Sequence, residues 1–188
     1  MNRIFNYLKY TLNKISKPEI IGGYIDPNGK VNKKTRISSH SHLSNRQNLY
    51  IDDNVFIGHF NIIDGYKKIF IEEGVQITNY VSVLTHSSHN SIRLHGKNYI
   101  EDLKYLFGLE SGDVYIGKYS FIGSHSIIMP GTKIGKGCIV GAFSYVQGEF
   151  ADYSILRGQP AKIVGNTKER DYKYLKDNPE LENKYYNK

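Results

Sequence analysis

Residues 116–146 read IGKYSFIGSHSIIMPGTKIGKGCIVGAFSYV, and their spacing is the strongest signal in the chain. Stepping by six from Ile116 reaches Ile122, Ile128, Ile134, Val140 and Val146, and every stop is aliphatic. The following residue is glycine at Gly117, Gly123, Gly135 and Gly141. Four places after the aliphatic the residue is small: Ser120, Ser126, Thr132, Cys138, Ser144. A helix places apolar residues three and four apart, and a lone strand places them two apart. A period of six matches neither. It matches a short strand and a tight turn, repeated.

The pattern extends upstream. Ile51, Ile57 and Ile63 keep the step, a two-residue slip follows, and Ile71, Ile77 and Val83 resume it. Ile25, Val31, Ile37 and Leu43 hold the same spacing further back. Here the residue after the aliphatic is often glycine or acidic, as at Gly58, Asp64 and Glu72. These positions predict an all-β chain wound as a parallel β-helix of hexapeptide repeats. Each aliphatic points inward and stacks on its equivalent in the next coil. The small residue also faces in, near a corner. One coil cannot bury its own core, so coils must stack. Three sides make a coil of about 18 residues, and the hits account for about five coils.

Composition agrees. With 18 glycines, 16 tyrosines, no tryptophan and 39% hydrophobic residues, the 188-residue chain suits short strands and many turns. The net charge is +7. Lysine and arginine are spread out, and no nucleic-acid motif is present, so the reading excludes nucleic acid as a partner. The single cysteine, Cys138, excludes an internal disulfide and occupies a small inward position, as core. No apolar run is long enough to span a membrane or serve as a signal peptide, so a cytoplasmic location is expected.

Three segments depart from the repeat. Residues 1–20 place Ile4, Phe5, Leu8, Leu12 and Ile15 at near-helical spacing. They read as a short amphipathic helix, either a cap on the open end of the β-helix or a weak membrane-surface foot. Residues 21–166 are the β-helix domain, and 167–188 form a polar, partly helical tail. The repeat is absent between Leu84 and Val114. An extended loop, 87–113, is expected to protrude there, and a loop of this length is usually functional. The stretch VSVLTHSSHNSIRLHG, 81–96, carries three histidines as the repeat breaks off: His86, His89 and His95.

The repeat at 116–146, followed by YSILRGQPAKIV at 153–164, resembles the hexapeptide-repeat acetyltransferases. The likeness is to galactoside and maltose acetyltransferases and to the O-acetyltransferases of capsule and lipopolysaccharide biosynthesis. It covers roughly residues 25–166. It implies a left-handed coil, acetyl-CoA as co-substrate, a carbohydrate acceptor, no metal, and a homotrimer with sites between subunits. Acetyl transfer to a hydroxyl needs a base, and histidine titrates in the right range.

SVLTH, ending at His86, resembles the family segment that carries that base. His59 stands where the galactoside enzymes have a substrate-binding asparagine, which leaves its role open. His89 either orients His86, touches the acceptor or is solvated. His125 matches a histidine beside the coenzyme, and His95 reads as an exposed loop residue. The resemblance places Gly123, Ser124, Gly141 and Ala142 along the coenzyme arm, where the glycines permit close approach. Arg157 and Lys162 are placed at its phosphates. A Thr-Lys pair common in the family is Gln147-Gly148 here, which puts phosphate contacts at that point in doubt.

The implied activity is acetyl-CoA-dependent O-acetylation of a sugar hydroxyl in a surface polysaccharide or its precursor. The alternative is N-acetylation of a nucleotide-linked amino sugar. A zinc hydrolyase on the same fold and a non-enzymatic binding module are the more distant readings.

Overall fold

The computed structural model describes residues 17–101 and 106–185. The repeat winds into a three-faced coil of parallel strands. The first face stacks Val31–Ser38, Phe56–Ile57, Gln76–Ile77, Phe121–Ile122, Ile139–Val140 and Ser154–Gly158. The second stacks His42–Ser44, Ile62–Asp64, Ser82–Leu84, Ile127–Ile128 and Tyr145–Val146. The third stacks Leu49–Ile51, Ile69–Ile71, Val114–Ile116, Lys133–Ile134 and Glu149–Phe150.

The aliphatic stops of the repeat build the core. Ile57 pairs with Ile77, Ile77 with Ile122, Ile122 with Val140 and Val140 with Leu156, and all five are fully buried. Ile63, Val83, Ile128 and Val146 do the same on the second face. The small residues sit inside the corners and tie coils together. Ser120 Oγ donates to the Gly135 carbonyl at 2.9 Å and accepts from the Cys138 amide at 3.0 Å. Ser126 Oγ donates to the Gly141 carbonyl at 3.0 Å. Cys138 is buried, and burial pushes its thiol up from the ordinary range.

Two features differ from the sequence expectation. Ile25 and Val31 are not inward rungs: they are 64% and 56% exposed and pair with each other in an antiparallel hairpin. The intervening DPNGK forms a tight turn, with Asp26 Oδ1 accepting from the amides of Asn28 and Lys30, both at 2.9 Å, and Gly29 at φ 82°. A six-residue step crosses this hairpin by coincidence, and the coil starts at Ile37.

The coil length is also not uniform. Arg36 pairs with Phe56 and Phe56 with Gln76, so the early coils are longer than Phe121–Ile139 or Ile139–Ile155. The two-residue slip lies between the second and third faces and occurs twice: Leu43 to Ile51 and Ile63 to Ile71 are steps of eight residues, where Ile128 to Ile134 is a step of six.

One corner carries a column of rings. Phe60, Tyr80, His125 and Phe143 all hold a left-handed backbone, φ 57° to 61°. Each non-glycine residue in that region costs on the order of 1 kcal/mol. Their rings stack in a column, with centroids 5.2, 4.9 and 4.8 Å apart and planes within 16°. Each stacked pair returns roughly 0.5–1.5 kcal/mol.

The excursion after Leu84 starts from a two-stranded ribbon, His86–Ser87 against Glu110–Ser111, and carries a short helix, Ser91–His95. Val114 then rejoins the third face beside Ile69. A second hairpin, Ser154–Gly158 with Ala161–Asn166, closes the far end. The helix Thr167–Asp177 follows, capped by Asn166, whose side chain accepts from the Lys168 amide. The proposed N-terminal helix lies outside the described residues except for 17–20, where Ile20 already opens a strand.

Candidate active site

The second-face strands end in Asp64 and Leu84, which pair across neighbouring coils. Thr85 follows Leu84, is fully buried, and donates from Oγ1 to the Asp64 carbonyl at 2.7 Å. This places the next residue, His86, beside the Asp64 side chain. His86 Nδ1 lies 2.7 Å from Asp64 Oδ2. The N–H does not point along that line, so the contact is an ion-pair distance rather than an aligned hydrogen bond. Uncomplexed catalytic hydrogen bonds are often misaligned in this way.

The other carboxylate oxygen, Oδ1, accepts from Ser44 Oγ at 2.8 Å, one coil away. Asp64 is the more buried partner, its side chain 16% exposed against 38% for His86. Tyr66 lays its ring 4.6 Å from the imidazole, centroid to centroid. Nδ1 and one ring face are thus occupied by the protein, and Nε2 remains for a substrate. A carboxylate on Nδ1 selects the tautomer with a basic Nε2 and stabilises the imidazolium that forms on proton transfer.

Asp64 is the residue that sequence reading missed. It was visible only as one of several acids following a rung aliphatic. Nothing local distinguishes it from Glu72, whose carboxylate accepts from the Lys118 amide in a corner.

The remaining histidines are placed elsewhere. His89 Nδ1 lies 2.8 Å from Ser87 Oγ, and its Nε2 lies 3.4 Å from Glu110 Oε1. Ser87 and Glu110 face each other across the ribbon, one position on from His86 and Ser111. Successive strand residues point to opposite faces. His89 therefore clusters on the side of the ribbon away from the Asp64–His86 pair. Its neighbour Asn90 donates to Glu110 at 3.1 Å.

His59 sits at another corner, between the first and second faces. Its Nδ1 lies 2.7 Å from Ser38 Oγ, and its amide donates to Asn79 Oδ1 at 2.7 Å. The second-face strand separates this corner from Asp64, roughly 15 Å at about 3.3 Å per residue.

Gly123, Ser124, Gly141 and Ala142 follow the first-face strands and line up below His59 on that same corner. Ser124 Oγ donates to Thr78 Oγ1 at 3.1 Å. The glycines have a reason beyond ligand approach. A Cβ on Gly123 would meet the Ala142 amide nitrogen at 2.6 Å and the Val140 carbonyl at 2.7 Å, both backbone of the next coil. A Cβ on Gly141 would meet the Arg157 side chain at 2.8 Å. Arg157 thus crosses the bare glycine. Lys162 pairs with it across the terminal hairpin, and both are exposed. The column of small residues therefore ends in two cations. His125 is stacked between Tyr80 and Phe143 beside it.

A groove of about 380 Å³ opens at the N-terminal mouth of the coil, lined by Tyr24, Ile37, Leu43 and Arg46 among others. It contains neither His86 nor the glycine column. Among the described residues no helix is long and apolar enough to cross a membrane.

Comparison with known proteins agrees with the repeat fold. Residues 113–148 match the family described as bacterial transferase hexapeptide, six repeats. The galactoside O-acetyltransferase of Escherichia coli K12 is 31% identical over 141 residues, covering 72% of this chain and 63% of that protein. A putative lipopolysaccharide biosynthesis O-acetyltransferase of the same organism is 30% identical over 120 residues, covering 62% and 59%. The chain spans about 37–63% of the length of the first curated relatives it matches. Among solved structures, a mutant Bacillus cereus N-acyltransferase in complex with dTDP and coenzyme A aligns over 77% of this chain and 90% of that one. Its TM-score is 0.55 at 24% identity, a likeness of fold.

Proposed function

We propose that this chain, which carries bacterial transferase hexapeptide repeats and resembles the galactoside and lipopolysaccharide O-acetyltransferases, transfers acetyl from acetyl-CoA to a sugar hydroxyl. The observation that carries the reading is the Asp64–His86 pair at 2.7 Å, set where the repeat breaks off. His86 Nε2 takes the proton from the acceptor hydroxyl as its oxygen bonds to the thioester carbonyl carbon. Asp64 stabilises the imidazolium. The carbon–sulfur bond then breaks, and the imidazolium returns its proton to the departing thiolate. The products are an acetyl ester and coenzyme A. Neither a metal nor a covalent enzyme intermediate is required when both substrates bind together.

The small-residue column suits a thin, extended coenzyme arm, and Arg157 and Lys162 at its end suit phosphates. That column and His86 occupy different corners of one coil. A homotrimer with sites between subunits would bring the column of one copy beside His86 of the next and so complete the site.

The second reading, N-acetylation of a nucleotide-linked amino sugar, is supported by 30% identity over 125 residues to a dTDP-4-amino-4,6-dideoxy-D-glucose acyltransferase of Escherichia coli, covering 66% of this chain and 62% of that protein. A thiol-release assay with acetyl-CoA and a panel of hydroxyl and amine acceptors separates the two. His86→Ala is expected to lower turnover about 10²–10⁴-fold while coenzyme binding and assembly survive. Activity within threefold of wild type would remove His86 as the base.

A further inference from the structure

Among the described residues Lys67, like Lys33 and Lys68, is not paired with an acid as some coil lysines are, and it stands apart by its place beside His86. Lys30 meets Asp52 at 2.9 Å, Lys133 meets Glu149 at 2.7 Å, and Lys118 meets Glu73 at 3.7 Å. Among the described residues Lys67 has no carboxylate at ion-pair distance. Its place is nevertheless fixed. The Lys67 amide donates to Thr85 Oγ1 at 2.8 Å, the same hydroxyl that donates to the Asp64 carbonyl, and Thr85 directly precedes His86.

The Lys67 ammonium lies over the Tyr66 ring, 5.8 Å from its centroid, and that ring lies 4.6 Å from the imidazole. The cation is thus within about a Debye length, ~10 Å, of the base. Asp64 is the carboxylate next to His86, and its two oxygens already face His86 and Ser44. An unpaired, positioned ammonium beside an open Nε2 is a point charge awaiting an anion.

We propose that Lys67 recognises an acidic group on the acceptor, so that the substrate is an anionic carbohydrate. The group is a uronate carboxylate or a sugar phosphate, lying about one sugar ring from the hydroxyl that His86 deprotonates. This rests on His86 being the base, and the test keeps the two claims apart.

The full chain is assayed for thiol release with acetyl-CoA and three probes: a glucuronate-containing tetrasaccharide, glucose 1-phosphate and neutral cellotetraose. The acidic probe that fits is expected to exceed the neutral one at least tenfold in kcat/KM, a preference that weakens with added salt. Lys67→Gln is expected to cut the acidic-to-neutral ratio about tenfold, in line with a hydrogen bond to a charged group. Lys67→Glu is expected to cut it further, and Lys133→Gln to leave it alone. The carboxylate and phosphate arms identify which anion is read.

Equilibrium binding of the same probes without acetyl-CoA, to wild type and to Lys67→Gln, does not depend on any base. If His86→Ala stays active while Lys67→Gln loses the acidic probe, the base assignment fails and the lysine stands. If acidic and neutral probes are indistinguishable in turnover and in binding, or if Lys67→Gln leaves their ratio unchanged, the proposal is overturned.

Discussion

Replacing Asp64 by asparagine preserves shape and removes one charge. The carboxylate stands 2.7 Å from His86 Nδ1 in a setting that is mostly, but not fully, dry. Two unit charges about 3 Å apart attract by roughly 5 kcal/mol at an effective dielectric of about 20. A fully exposed pair is worth only about 0–1 kcal/mol. With Asp64 at 16% and His86 at 38% side-chain exposure, about 2–3 kcal/mol is expected in the transition state, where the imidazole is charged. At about 1.4 kcal/mol per decade that is a loss of roughly 30- to 150-fold in kcat. An asparagine amide that donates to Nδ1 would also favour the wrong tautomer.

The assay is thiol release at saturating acetyl-CoA, with the KM for acetyl-CoA measured alongside. That KM is expected to stay within about twofold, because Asp64 is not part of the column proposed to hold the coenzyme arm. The double variant Asp64→Asn, His86→Ala is expected to be no slower than His86→Ala alone, since the two residues act as a unit. A kcat within threefold of wild type, or losses that multiply in the double variant, would refute the dyad.

Two further predictions concern the scaffold. Ile77→Ala leaves a cavity at a fully buried rung between Ile57 and Ile122, and is expected to cost about 2–5 kcal/mol. At roughly 2–4 °C per kcal/mol this lowers Tm by several degrees in thermal unfolding, and an unchanged Tm would contradict the stacked core. Gly123→Ala drives a Cβ against the Ala142 amide nitrogen at 2.6 Å, so the coil spacing must yield, at about 1–3 kcal/mol. Thermal unfolding measures it directly, and a Tm within 1 °C of wild type would show that the close approach is not limiting.

The sequence by itself determined the coil. A six-residue step of aliphatics with glycines and small corner residues has one economical solution, because only stacked coils bury all those side chains at once. It also determined where the repeat stops, and hence His86 as a candidate. It did not reveal that Ile25 and Val31 belong to a hairpin, because a hairpin of strands six residues apart keeps the same step as a coil. Only the tertiary structure chose Asp64. The acid is one coil and some twenty residues away from His86, and nothing in its own neighbourhood separates it from the corner acids that bind backbone amides. The same holds for Lys67: its amide's link to Thr85 and its place beside the Tyr66 and His86 rings exist only once the coils are stacked. Periodicity specifies which residues face inward, since burial acts on every repeat alike. Which outward residues meet depends on coil length and on where the chain is interrupted, and those contacts are made across coils rather than along the chain.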